Sequence, residues 1–332
     1  MSSSTSNSEP LLLVRRAAWA GAIVACILIA AFFNGHHASW VDYHGATSAK
    51  LERLMSLPSP KVVVVGGSNM TFGVDSEELE KALCMPVVNM SIHASLGIEY
   101  MVNEVKDHLG KGDLVIAGFE GASLNVASKD NEVHVLTVDR APAALAAIPW
   151  YRRPRILINV AIMRLQAAWK YATGEWGDEE PEPVYTARGF NERGDMVAHL
   201  GLPQRPPELQ ERVVYPTPLI GDEVIPMLKD LVANAERKGA KVVFVWSCVA
   251  SSSRRPDLEL EIEQRMRRAG IPLLGEAAAV VFPDTSFHDT HYHLRATGRK
   301  LRTQRLIEEL CTDGEVHCCS TPSGAPEVVT RP

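Results

Sequence analysis

The 332-residue chain has no CxxC pair, no HExxH-type helical spacing and no internal repeat, and its six cysteines stand apart at 26, 84, 248, 311, 318 and 319. Without CxxC pairs or a His/Cys pattern at ligand spacing the cysteines make no zinc-type site, and no metal or cofactor is expected. Aromatics make up only 6% of the chain, net charge is -6, and no Lys/Arg cluster carries interleaved aromatics. That combination excludes a nucleic-acid surface. Basic residues are missing altogether between Arg16 and Lys50, and charge of either sign is missing from Ala17 to Phe33.

This last absence is informative. AAWAGAIVACILIAAFF is about long enough, as a helix, to approach the thickness of a bilayer core. Arg15 and Arg16 precede it and Lys50 is the next cation. The positive-inside bias then puts residues 1–16 in the cytoplasm, a single-pass anchor at 17–33 in the inner or plasma membrane, and the rest outside, in the periplasm. A cleaved signal peptide is disfavoured because FFNGHHASW offers a poor small-x-small site. A lipoprotein cysteine at Cys26 is disfavoured because apolar residues, not a polar tether, follow it. A buried soluble helix is the remaining alternative. In an oxidising compartment a disulfide among Cys311, Cys318 and Cys319 becomes possible, although buried free thiols are commoner.

Residues 34–60 read as a juxtamembrane linker with one short helix over 47–57. A folded domain is expected from Lys61 to Cys311. Val62–Val65, closed by Gly66-Gly67, has the uniform hydrophobicity of a strand buried on both faces of a parallel sheet. Asp75 caps a helix with acidic residues in its first turn. Val87-Val88 is a short strand, 97–109 a helix and 113–117 a strand; later come helix 222–238, strand 241–246, helix 256–268 and helix 297–310. This alternation predicts an α/β fold, a three-layer sandwich around a mostly parallel central sheet. Residues 142–219 break the rhythm and read as an insertion: helical over 142–172, then rich in Gly, Pro and charge, with a hairpin about Glu192-Arg193-Gly194. Segments of this kind are often lids or binding loops. Residues 312–332 are Pro/Ser/Thr-rich and expected to be disordered.

Chemistry can reside at two places. GGSNMTFG, 66–73, follows the first strand, and a hydroxyl there sits at the carboxyl end of a parallel sheet, where ligands bind. Glycines allow the tight turn, and the following helix start offers N–H groups to an oxyanion. Taken alone, it reads equally as a plain turn with an incidental serine. FHDTHYHLRATG, 287–298, supplies Asp289, His291 and His293 just before the last helix. A serine needs a base, and the base needs a third group to orient it. A solvated loop, or a metal site built on its three histidines, are the alternatives. Asn89 and His93 flank a strand end and either line the site or are structural. Trp150, Tyr151, Arg152, Arg153 and Arg155 form either a sugar-binding or membrane-facing surface or simply a solvated helix start.

Taken together, Gly-Ser after the first strand and D-x-x-x-HL-x-x-x-G before the last helix, here Asp289, His293, Leu294 and Gly298, resemble the SGNH (GDSL-type) hydrolase superfamily, in particular its membrane-anchored, envelope-associated branches. The resemblance covers about 61–127 and 222–311 and implies a flavodoxin-like three-layer fold. It makes Ser68 the nucleophile, His293 the general base and Asp289 its orienting partner, with His291 as second choice for the base. It also implies oxyanion donors from the Ser68 backbone, from a second block where Ala94 or Ser95 stands in place of Gly, and from a third-block Asn. In that third place stands Glu120 or Gly121, and an ionised Glu donates nothing. Asn69 is then the replacement donor to expect, since one lost oxyanion donor costs roughly 3 to 4 kcal/mol. The chain also departs in having Gly67 where the family carries Asp, and four residues rather than three from Asp289 to His293. The implied activity is acyl-ester hydrolysis or O-acyl transfer through an acyl-serine, on an envelope polysaccharide or with an acyl-donor partner. The alternative is a catalytically weakened glycan-binding or scaffolding module.

Overall fold

The computed structural model describes residues 8–34, 42–125, 132–174, 183–204, 220–312 and 316–319. Its strands are β1 (Val62–Gly66), β2 (Val87–Asn89), β3 (Leu114–Gly118), β4 (Lys241–Val245), β5 (Val249–Ala250), β6 (Leu273–Leu274) and β7 (Val281–Phe282). The helices are α1 (Ser8–Asn34), α2 (Ala46–Ser56), α3 (Ser68–Gly73), α4 (Ser76–Leu83), α5 (Gly97–Lys106), α6 (Glu132–Arg140), α7 (Arg153–Thr173), α8 (Val224–Arg237), α9 (Pro256–Ala269) and α10 (Ala296–Thr312).

Five strands pair in the order β2-β1-β3-β4-β6, every pair parallel, and β5 and β7 make a separate parallel pair. Strand residues alternate between two cores. Val63, Val65, Val115, Ala117, Val242 and Phe244 face one, with α5 and α8, while Val62, Val64, Leu114, Ile116, Val243 and Val245 face the other, with α4 and α10. Burial on both faces is why these strands are continuously apolar. Asp75 caps α4 by accepting from the N–H groups of Glu77 and Glu78, and Gly270, at φ +69°, ends α9.

Three differences from the sequence reading have physical causes. The stretch before Lys61 belongs to the domain: Tyr43, Ala46, Leu51 and Leu54 are buried, and the Lys50 ammonium donates to the carbonyls of Asn89 (3.0 Å), Gly194 (2.7 Å) and Ser91. In the insertion, buried Asp195 accepts from Ser76, Asn89 and Arg299, so the hairpin near Arg193 is welded to α4, β2 and α10. At the C-terminus Cys311 pairs with Cys318 and Cys84 with Cys319, which ties residues 316–319 to α10 and α4; Cys84 is exposed, not a buried thiol. The remainder of the 312–332 segment lies largely outside the described residues, as does half of 174–219.

The apolar run 17–33 lies within α1, whose described side chains are exposed. Among the described residues, no helix is long and apolar enough to cross a membrane.

Candidate functional site

In a sheet ordered 2-1-3-4 the chain reverses direction between β1 and β3, and side chains just past those strands share one crevice. Ser68 follows β1 and opens α3; Glu120 follows β3. Ser68 is half-buried and its two neighbours in sequence are held rigidly. Gly67 lies against the Glu120 carboxylate, and the Asn69 N–H donates to Glu120 Oε1 at 2.8 Å. From behind, the buried guanidinium of Arg302 donates to the Asn69 carbonyl at 3.0 Å and to the Trp246 carbonyl at 3.3 Å.

The loop before α10 delivers the second half. Phe287 and Leu294 bridge antiparallel and are fully buried beside Cys248, Ala250 and Phe282, while the His288 N–H bonds the His293 carbonyl at 2.8 Å. This pinches residues 288–293 into a tight loop, and the Thr290 hydroxyl accepts from the N–H groups of Tyr292 and His293. The four-residue spacing therefore still brings His293 Nδ1 to 2.8 Å from Asp289 Oδ1. His293 stacks on Phe72 with 3.9 Å between centroids and planes 8° apart. Phe72 is four residues after Ser68 on α3, so the imidazole is set on the helix face that carries the serine.

His291, the second choice, is placed apart from this pair: its Nδ1 lies 2.7 Å from the Ser253 hydroxyl. The loop's three histidines diverge, His288 lying near His199, His291 on Ser253 and His293 on Asp289. Among the described residues no group of His, Cys, Asp or Glu side chains could hold a metal ion.

Tyr185, from the insertion, completes the arrangement. Its hydroxyl donates to Asp289 Oδ2 and lies 3.0 Å from His293 Nδ1. Burial works against a charge on Asp289, but the His293 and Tyr185 hydrogen bonds outweigh it and hold the carboxyl down at about 2. Asp289 is thus an anion at neutral pH and directs the His293 Nδ1 proton toward itself, leaving Nε2 as the basic nitrogen. Nothing in the sequence marked Tyr185, because its role depends on a long-range contact of 104 residues.

The residues expected as oxyanion donors have other partners. The Asn69 side-chain Nδ2 donates to the Cys248 carbonyl at 3.1 Å and the residue is fully buried. The Ser95 N–H donates to His93 Nδ1 at 3.1 Å. Burial holds His93 near 4, assisted by the neighbouring His44 and His293, so it stays neutral and keeps accepting that bond. Asn89 is structural, donating to the Met70 carbonyl and to Asp195. Burial also raises the Glu120 carboxyl, against the Asn69 N–H, its own backbone N–H and the charges of His293 and Arg302. Its Oε2 is buried with no hydrogen-bond partner, the state that suits a neutral acid.

A cavity of about 70 Å³ adjoins this crevice, walled by Phe119, Gly121, Trp246, Ser247, Val249 and Tyr292 among others. Gly121 and Tyr292 are the sequence neighbours of Glu120 and His293. The chain is thus an α/β protein in which Asp289, His293 and Tyr185 are hydrogen-bonded together and His293 stacks on Phe72, four residues from Ser68. No protein-family model matches the chain, and no curated protein matches it.

Proposed function

We propose that the chain is an SGNH-like, membrane-anchored acyl-ester hydrolase or O-acyltransferase acting on a cell-envelope glycan. The observation that carries this reading is the Asp289–His293 pair, 2.8 Å apart and stacked on Phe72 one helical turn from Ser68. In the proposed cycle His293 Nε2 takes the Ser68 hydroxyl proton as Oγ attacks the acyl carbonyl. The tetrahedral intermediate expels its alcohol, which leaves with the proton from His293, and an acyl-serine remains. Water or a sugar hydroxyl, deprotonated in turn by His293, then takes the acyl group. The N–H groups of Ser68 and Ala94 are the oxyanion donors in this scheme.

Anchoring rests on the uncharged run 17–33 in α1 and on the arginines before it. The two disulfides fit an extracytoplasmic domain, since such bonds persist in oxidising compartments.

The occupied Asn69 amide and N–H favour one competing reading, a weakened glycan-binding or scaffolding module. Incubation of the full-length chain in detergent with a fluorophosphonate probe separates the two. The enzyme reading expects a covalent adduct that disappears in Ser68→Ala and in His293→Ala. No adduct on the folded wild-type chain overturns it in favour of the binding module.

A further inference from the structure

On a surface helix the outward face is normally polar. Helix α7 is the reverse. Its inward side buries Ile156 and Val160, while Ile158, Ile162, Leu165 and Trp169 remain 59%, 48%, 39% and 68% exposed. Their spacing of four, three and four residues lines them up as one stripe, which Leu157, 48% exposed, widens. Aromatic rings close both ends, Trp150 and Tyr151 before the helix at 78% and 59% exposure and Trp169 in its last turn.

The charge of the segment is equally one-sided. Residues 149–173 hold five cations, Arg152, Arg153, Arg155, Arg164 and Lys170, and no carboxylate, in a chain whose net charge is -6. Arg152 is matched inside the protein by Glu99 and Arg164 by Asp139. Arg155 and Lys170 are exposed along one side of the apolar stripe. Helix α1, itself apolar and exposed, packs alongside α7, so the two present adjoining apolar surfaces.

We propose that the exposed face of α7 rests on a lipid bilayer with anionic headgroups, with the helix lying in the plane of the interface. Aliphatic side chains facing out, cations at the edges and tryptophans at the ends are what such a helix requires. Cations near an anionic surface strengthen the attachment electrostatically. A second copy of the chain fits less well, because a two-fold contact would set this cationic segment against itself. A sugar fits less well because the exposed side chains of the stripe are aliphatic and offer it no hydrogen-bonding groups. The consequence is orientational: with α7 held flat on the membrane, the domain is fixed in tilt rather than swinging on its anchor. This inference is independent of any chemistry at Ser68.

The test uses the full-length chain with Cys26→Ser, reconstituted into phosphatidylglycerol/phosphatidylethanolamine vesicles. A nitroxide is attached at Ile162→Cys, at Leu165→Cys as a second site on the stripe, or at Leu260→Cys on α9 as reference. Power saturation compares access of molecular oxygen and of a water-soluble nickel chelate. The expected result is an oxygen-to-nickel ratio several-fold higher at 162 and 165 than at 260, falling when phosphatidylglycerol is replaced by phosphatidylcholine. Nickel access at 162 and 165 equal to that at 260 overturns the proposal. Exclusion of both reagents from 162 and 165 also overturns it, in favour of a contact between copies.

Discussion

A Cβ placed on Gly67 would lie 2.3 and 2.4 Å from the two carboxylate oxygens of Glu120. The departures at Gly67 and Glu120 from the SGNH-type pattern that the sequence resembles are therefore one feature. Gly67 leaves room beside Ser68, and the space is filled by a carboxyl arriving from the end of β3. Gly67→Ala should cost about 1 to 3 kcal/mol by overpacking, and Glu120→Ala in the same chain should recover part of it. Urea denaturation of both single variants and the double variant measures this coupling, and strict additivity would refute it.

Burial raises the Glu120 carboxyl above its ordinary 4.5. The folded chain then keeps that proton where the unfolded chain has lost it, so this residue makes stability fall as pH rises above 4.5 until the folded group also ionises. Gln at 120 keeps the acceptor for the Asn69 N–H and cannot ionise. Differential scanning calorimetry should show Glu120→Gln gaining Tm over the wild type progressively as pH rises from 4.5.

Tyr185→Phe removes a hydroxyl that binds both Asp289 and His293. A hydrogen bond to a charged group contributes about 1.5 to 3 kcal/mol, so kcat for p-nitrophenyl acetate should fall roughly ten- to hundredfold with KM little changed. Because the hydroxyl helps hold Asp289 near 2, its loss should also raise the Asp289 carboxyl, measured by carbon-13 NMR titration of that side chain. An unchanged titration would leave Tyr185 a packing residue only.

The recess beside the crevice is small, about 70 Å³, and walled mainly by apolar side chains such as Phe119, Val249 and Leu258. On the proposed acyl chemistry it would favour a short acyl group over a long one. Across a p-nitrophenyl ester series, kcat/KM should be highest for acetate or propionate and drop steeply by octanoate.

Cys84 and Cys319 are 235 residues apart. Closing so large a loop restricts the unfolded chain, and losing such a bond costs about 2 to 5 kcal/mol. Cys84→Ser should lower Tm and expose the C-terminal segment to limited proteolysis, whereas Cys26→Ser should alter neither.

The sheet was legible because its signal is local. A four-valine run, a capping Asp75 and a Gly at 270 specify a strand, a helix start and a helix stop without reference to anything distant. The same holds for Ser68 after β1 and for Asp289 and His293 before α10, whose loop is pinched by contacts within eight residues. Strands β5, β6 and β7, of two residues each, carry no period to read, and α6 interrupts a stretch that gave no helix signal.

Sequence alone determined that Ser68, Asp289 and His293 stand at the ends of elements where a parallel sheet gathers side chains, because strand and helix periodicity are set by neighbouring residues. Tertiary structure decided which histidine pairs with Asp289, that the Asn69 amide faces Cys248, that Tyr185 joins the pair, and that Glu120 fills the space Gly67 leaves. Each of these depends on a contact across the fold, of 38 residues for His291, 179 for Asn69, 104 for Tyr185 and 51 for Glu120. Pairings at that separation are selected by packing and by the cost of leaving a buried polar group unmatched, and neither is written in local pattern.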